Sequence, residues 1–303
     1  MNSPSLIEPG LDPRWVADIV TRALDEDLGP TPGRDVTTQA TVPPSGTGTA
    51  HLVARADGVV AGLVVVEEVT RQVAERFGLA PVTVTFTAQD GDAVTRGRVL
   101  AALTGPVQVI LTAERTLLNL ASRASGVATA TRAWARELDG TGAQVLDTRK
   151  TTPGLRALEK YAVRAGGGTN KRMGLYDVAM VKDNHVVAAG SVAGAIEAVR
   201  AMFPDVLIQV EADTTDQAME ALDAGADFLL LDNMPTPVLA DTVRRVRERE
   251  GVPGGPAKIE LEATGNLTLD RAREVAGTGV DYLSVGALTH SAPILDLALD
   301  LIG

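Results

Sequence analysis

The sequence predicts an α/β protein whose C-terminal half carries a parallel, barrel-like sheet. Three observations point there. From residue 143 onward, short apolar segments ("AQVLD", "VAMVKD", "VLIQVEA", "DFLLLD", "AKIELEA", "DYLSVG") alternate with amphipathic segments such as "SVAGAIEAVRAM", "TTDQAMEALDAG" and "TLDRAREVAGTG". Such alternation implies right-handed strand–helix–strand units. Six units follow one another, and no glycine-rich dinucleotide turn follows the first strand. Closure towards a barrel therefore fits better than a doubly wound sheet. With six units rather than eight, a complete (β/α)₈ barrel is not expected.

The N-terminal half has another texture. Residues 13–27 read as a helix, with Val16, Ile19, Val20 and Leu24 spaced for one face. "GPTPGRD" then breaks the chain. From 36 to 110 the texture is β: "VTTQATV", "TAHLVARADGVVAGL", "VTVTFTAQDGDAV" and "RVLAALTG", rich in Val and Thr with glycine turns. Within it "DGDAVTRGRVLAAL" reads as a glycine-turned hairpin. Residues 112–138 form a long helical stretch, interrupted near Gly126.

Composition narrows the function. The 303 residues are 45% hydrophobic, enough for one large or two medium cores. A net charge of −11 argues against sequence-independent nucleic-acid binding. The absence of cysteine removes disulfides, thiolate metal sites and cysteine nucleophiles. The start, "MNSPSLIEPGLDPRW", lacks the basic residues and apolar core of a signal peptide. No apolar run approaches the roughly 18 residues that span a bilayer, so a soluble, cytoplasmic protein without membrane partners is expected. Against this acidic background, residues 147–182 hold eight basic and three acidic residues, a local +5. A basic island of that size suits a small anionic ligand.

In α/β barrels the working residues lie at the carboxyl ends of the strands. Taken in order, those ends supply Thr148, Arg149 and Lys150; then Lys182, Asp183, Asn184 and His185; then Glu211; then Asp232 and Asn233; then Glu262, Thr264 and Gly265; and last Gly286. The early ends bring cations, suited to substrate carboxylates. Glu211 and Asp232 suit Mg²⁺ or ribose hydroxyls. "ATGN" (263–266) and "VGALTH" (285–290) offer backbone N–H groups to phosphate near helix starts. Plainer readings exist for each residue. An Asp or Glu after a strand often caps the next helix, Lys182 could be a salt-bridge partner or a Schiff-base lysine, and His185 and His290 fit structural hydrogen bonding. Taken singly, these leave the ordered arrangement unexplained.

At these residues the sequence strongly resembles the quinolinate phosphoribosyltransferase family. The likeness is carried by "EDL…RDVTT" (26–38), "LTAERTLLNLASRASGVATATR" (111–132), "DTRKTTPGLRALEKYAVRAGGG" (147–168), "VKDNH" (181–185), "LLLDNM" (229–234) and "GVDYLSVGALTH" (279–290). The resemblance implies an N-terminal helix and α/β sandwich domain over 1–124 and a C-terminal open, incomplete α/β barrel over 125–303. It also implies a homodimer in which the partner's N-terminal domain completes each barrel mouth.

Residue by residue, the resemblance implies that Arg115 reaches the neighbouring subunit's site. Arg149, Arg172 and Lys182 would hold the two carboxylates of quinolinate, and Lys150 would face the pyrophosphate side. Glu211 and Asp232 would hold ribose hydroxyls and Mg²⁺. Thr264, Gly265, Gly286 and His290 would surround the phosphate, and Thr148, Asn266, Val285 and Ala287 are further expected substrate-binding residues. Lys150, Lys182, Glu211 and Asp232 are the expected catalytic residues. The chain departs from the family pattern with Lys171 where histidine is usual, Gln209 where glutamate is common, and Thr264 in place of serine. Lys171 is expected at the substrate's carboxylate edge. The activity implied is pentosyl transfer from phosphoribosyl pyrophosphate to quinolinate with loss of CO₂. A sister transferase acting on another aromatic acid and a Schiff-base lyase using Lys182 are the alternatives.

Overall fold

The structure, a computed structural model, describes residues 10–250 and 258–302; residues 1–9, the start of the segment read above for a leader, lie outside them. Two compact units emerge. The first comprises residues 10–132, 151–167 and 288–302 of those described, the second residues 133–150 and 168–287.

Helix α1 (Pro13–Leu28) opens the first unit. Asp12 accepts the Arg14 N–H at 2.9 Å, Pro13 fits the first turn, and Gly29 stops the helix. Its buried face is Val16, Val20 and Leu24, and full burial of each such side chain stabilises by about 1.5–3 kcal/mol. Helix α2 (Thr38–Thr41) falls where strand was expected. Asp35 explains it: its carboxylate accepts the N–H groups of Thr37 and Thr38 and caps the turn. Strands β1 (Thr47–Ala54) and β2 (Gly58–Val59) lead to α3 (Val64–Phe77). That helix also lies inside the stretch read as β, because three successive valines mask the spacing of Val65, Val69 and Val73 on its buried face. Gln72 of α3 donates to the Ala17 carbonyl of α1 at 2.9 Å.

Strands β3 (Thr83–Phe86), β4 (Ala93–Val94) and β5 (Val99–Pro106) follow. The expected hairpin over 90–103 does not form. β4 pairs with β2, whereas β5 pairs with β1 and β3. Helix α4 (Val107–Glu137) is continuous through Gly126. That glycine serves close approach rather than interruption, since a Cβ there would stand 2.8 Å from Ile294 Cα.

In the second unit, β6 (Gln144–Leu146) comes first in the chain. Helix α5 (Arg156–Ala165) belongs to the first unit. The second unit resumes with β7 (Val178–Val181), α6 (Asp183–Ala189), α7 (Val192–Met202), β8 (Leu207–Ala212), α8 (Thr215–Asp223), β9 (Phe228–Asp232), α9 (Thr236–Glu250), β10 (Glu260–Thr264), α10 (Ala272–Ala276) and β11 (Tyr282–Ser284). All six apolar segments are therefore strands. They form one parallel sheet in the order β6-β11-β10-β9-β8-β7. The last strand returns beside the first, as in a barrel. No ladder joins β6 to β7 among the described residues; a single bridge from Leu146 to Thr169 stands at that gap. The barrel is open. After α11 (Ala287–His290), β12 (Leu297–Ile302) returns to the first unit and completes its four-stranded antiparallel sheet, β12-β1-β5-β3. Residues 124 and 125, where a single domain cut was expected, both lie within α4. No helix among the described residues is long and apolar enough to cross a membrane.

Candidate active site

Strand register builds the barrel mouth. Val181 of β7 is level with Val210 of β8, so the next residues, Lys182 and Glu211, face each other at the strands' carboxyl ends. Their side chains form an ion pair. Lys182 is 47% exposed and its ammonium is committed to a carboxylate. A Schiff-base lysine needs a neutral amine in an apolar pocket, so this geometry does not favour the lyase reading. Asp232 ends β9 level with Thr264 of β10. Beyond them, Asn233 and Asn266 adopt left-handed backbone, and the Asn266 amide donates to Asn233 Oδ1 at 3.0 Å. Gly265, at φ +91°, lies between; a Cβ on it would come 2.6 Å from Asp232 Oδ1. Only glycine leaves that cradle open.

Two electrostatic features define what the mouth can hold. Burial and the charge of nearby Arg149 hold Arg172 below its ordinary pKa, opposed by Asp177. Two guanidinium groups close enough to disfavour each other's charge attract an anion with more than one acceptor group. On the acidic side, burial and Asp213 push Asp232 above the usual carboxylate range, opposed by Lys182 and Lys150. Burial, Asp183 and Glu211 do the same to Asp213. Repelling carboxylates at one mouth suit a hard cation. Among the described residues, no three histidine, cysteine or acidic side chains are grouped to hold a metal by themselves. Mg²⁺ keeps waters and binds through one or two carboxylates plus substrate phosphates, and Asp232 and Glu211 are oxygen donors of that kind.

Lys171, expected at the substrate's carboxylate edge, is 10% exposed and pairs with Glu262 at 2.8 Å. Arg172, its neighbour in sequence, instead lies near Arg149 and Asp177. The segment is fixed locally by Asp147, which accepts from Asn170 Nδ2 at 2.5 Å, and by Arg172, whose Nε–H donates to the Gly174 carbonyl at 2.9 Å.

Thr148, Arg149, Lys150, Lys171, Arg172, Lys182, Glu211, Asp232, Thr264, Gly265, Asn266, Val285, Gly286 and Ala287 all lie in the second unit. Arg115 and His290 belong to the first unit. Arg115 is exposed on α4, and His290 Nδ1 lies 2.6 Å from Ser291 Oγ. His185 accepts the Lys182 N–H at 3.0 Å and caps α6, as its plainer reading held. Sequence reasoning missed Asp213, which stands two residues after Glu211. It also missed Arg123 and fully buried Glu159, which bond at 2.8 Å in the first unit. Arg123 further binds the carbonyls of Thr289 and Ala292, and Glu159 accepts from Thr152 at 2.9 Å, holding these loops together. An arginine inside an alanine-rich helical face was the available signal.

Residues 35–125 match the N-terminal domain of quinolinate phosphoribosyl transferase, and residues 127–300 match its C-terminal domain. A Mycobacterium leprae protein named nicotinate-nucleotide pyrophosphorylase (carboxylating) is 46% identical over 94% of this chain and 96% of its own. Quinolinate phosphoribosyltransferase (decarboxylating) 1 of Nicotiana glauca is 36% identical over 97% and 85%. Among solved structures, the nicotinate-nucleotide pyrophosphorylase of Francisella tularensis superposes with a TM-score of 0.86 at 32% identity, covering 97% of this chain and 98% of that one. With both domains matched in sequence and the sandwich and open barrel matched in space, the chain belongs to the quinolinate phosphoribosyltransferase family.

Proposed function

We propose that this chain transfers the phosphoribosyl group of phosphoribosyl pyrophosphate to quinolinate, releasing pyrophosphate and CO₂ and yielding nicotinate mononucleotide, a step of NAD biosynthesis. The observation that carries this reading is the Arg149–Arg172 pair beside an acidic cluster. A vicinal dicarboxylate relieves the cation repulsion at one side of the mouth, and an electron-poor sugar centre suits the other.

In this mechanism Arg149 and Arg172 hold the two carboxylates and aim the pyridine nitrogen at the anomeric carbon. The nitrogen lone pair forms the new C–N bond as the bond to pyrophosphate breaks, its electrons leaving on oxygen. Glu211 and Asp232 stabilise the positive charge that develops on the ribosyl centre, and Lys182 holds Glu211 in place. Lys150 offers a point charge to the leaving group. Loss of the adjacent carboxylate as CO₂ returns its bonding electrons to the cationic ring, and the ring carbon then takes a proton from water. Asp232 and Glu211, with Asp213 nearby, are the carboxylates that would hold Mg²⁺. When bound, the ion offsets negative charge on the pyrophosphate. Thr264 to Asn266 and Val285 to Ala287 take the 5′-phosphate.

A homodimer with shared sites is part of the proposal. Its support is Arg115, which is exposed on α4. The test is a product assay with quinolinate, phosphoribosyl pyrophosphate and Mg²⁺. Nicotinate mononucleotide should appear only when all three are present, and turnover of nicotinate in place of quinolinate would favour the sister transferase.

A further inference from the structure

One layer deeper in the barrel lies a charged cluster that these roles do not use. Gln209 precedes Glu211 by two residues on β8, Glu262 precedes Thr264 by two on β10, and Ser284 precedes Gly286 by two at β11. Side chains two apart along a strand share a face, so the three occupy the layer beneath the mouth. Gln209 Nε2 donates to Glu262 Oε2 at 2.6 Å although β9 lies between their strands. Only the concave face permits that contact. Ser284 donates to the other Glu262 oxygen. Into this layer Lys171 inserts its ammonium, 2.8 Å from Glu262 Oε2 and 4.3 Å from the centre of the Phe228 ring. The Tyr282 ring is 5.6 Å away.

A lone carboxylate here would repel an anion above it, little screened by solvent. Lys171 cancels that charge and is the one cation within ion-pair distance of Glu262 among the described residues. Gln209 serves the same balance. Fully buried and bonded to the same carboxylate oxygen, it presents an amide where an acid would add a second negative charge. The other titratable groups facing the cluster are Tyr282, bonded to Glu260 at 3.3 Å, and Asp147, which accepts the Lys171 N–H; Glu211 with Lys182 stands above.

Resting on the dicarboxylate reading above, we propose that Lys171 is a positioning and specificity residue that neutralises Glu262 and so keeps the floor of the mouth from repelling the acceptor's carboxylates. It does this without touching them, and Gln209 completes the neutral floor.

The test is calorimetric binding of quinolinate to the full chain and to Lys171→Met, Glu262→Gln and the double variant. Lys171→Met should raise Kd by about tenfold or more at pH 8.5. Glu262→Gln leaves a lone cation and should bind quinolinate as tightly as wild type or tighter at pH 6.5. The double variant should lie within about threefold of wild type at both pH values, and KM for phosphoribosyl pyrophosphate should move less than about threefold throughout. A merely structural pair would weaken binding in both single variants and again in the double variant, which overturns the proposal. Unchanged Kd in Lys171→Met overturns it as well. If Lys171→Met does not fold, weaker binding in Glu262→Gln or in the double variant is sufficient to reject it. A wild-type protein that binds no quinolinate removes the substrate reading itself, an outcome distinct from a wild type that binds while the variants fail the sign test.

Discussion

Lys182 and Glu211 form an ion pair across adjacent parallel strands, at the carboxyl ends where β7 and β8 open into the barrel mouth. Lys182 is 47% exposed, and pairs of that kind contribute no more than about 1 kcal/mol to stability. Their value is placement. Lys182→Gln should therefore leave the melting temperature nearly unchanged. Loss of a charge-assisted bond worth roughly 1.5–3 kcal/mol should lower kcat/KM by about ten- to a hundredfold. A parallel fall in stability and activity would make the pair structural.

Gly265→Ala should weaken phosphoribosyl pyrophosphate selectively. The residue sits at φ +91°, and a Cβ would crowd the Asn233 amide and stand 2.6 Å from Asp232 Oδ1. Strain of this kind costs of order 1–3 kcal/mol, and relieving it moves both neighbours. KM for phosphoribosyl pyrophosphate should rise at least about tenfold while Kd for quinolinate changes little. Equal effects on both substrates would argue against a phosphate cradle.

Asp232 combines function with a cost in stability. Its folded-state pKa is raised by burial and by Asp213. A raised pKa means that the folded state favours the protonated acid, and the penalty appears as pH climbs through that pKa. Asp232→Asn should hence raise the melting temperature at pH 7–8 while abolishing most activity. The stabilisation should shrink as pH falls and Asp232 becomes protonated in the wild type. Thermal melts across pH 4–8 read this, and a variant less stable at pH 7–8 would contradict it.

Shared sites predict complementation. Mixed Arg115→Ala and Lys182→Ala chains, each inactive alone, should recover activity, because one site of the mixed dimer then carries both lesions and the other neither. No recovery despite demonstrated subunit exchange would place Arg115 outside the partner's site.

Much of this was legible in the sequence for a physical reason. Barrel strands are buried on both faces and read as apolar runs, so β6 to β11 stood out, and the charges ending them marked the mouth. What escaped depended on three-dimensional partners. The short α2 exists because Asp35 caps it, and Gly126 is explained only by its approach to Ile294. Neighbours in sequence also misled. Arg172 lies close to Arg149, whereas Lys171 turns to Glu262, ninety-one residues away. Asp213 was passed over because an exposed acid after a strand looks like a helix cap.

The most direct test of the account follows the carboxylate that leaves. Quinolinate labelled at the 2-carboxyl carbon, incubated with phosphoribosyl pyrophosphate and Mg²⁺, should release labelled CO₂ and pyrophosphate in equal amounts, and neither when phosphoribosyl pyrophosphate is omitted. Pyrophosphate release with the label retained in the nucleotide product would contradict ring-cation-driven decarboxylation and with it the proposed reaction.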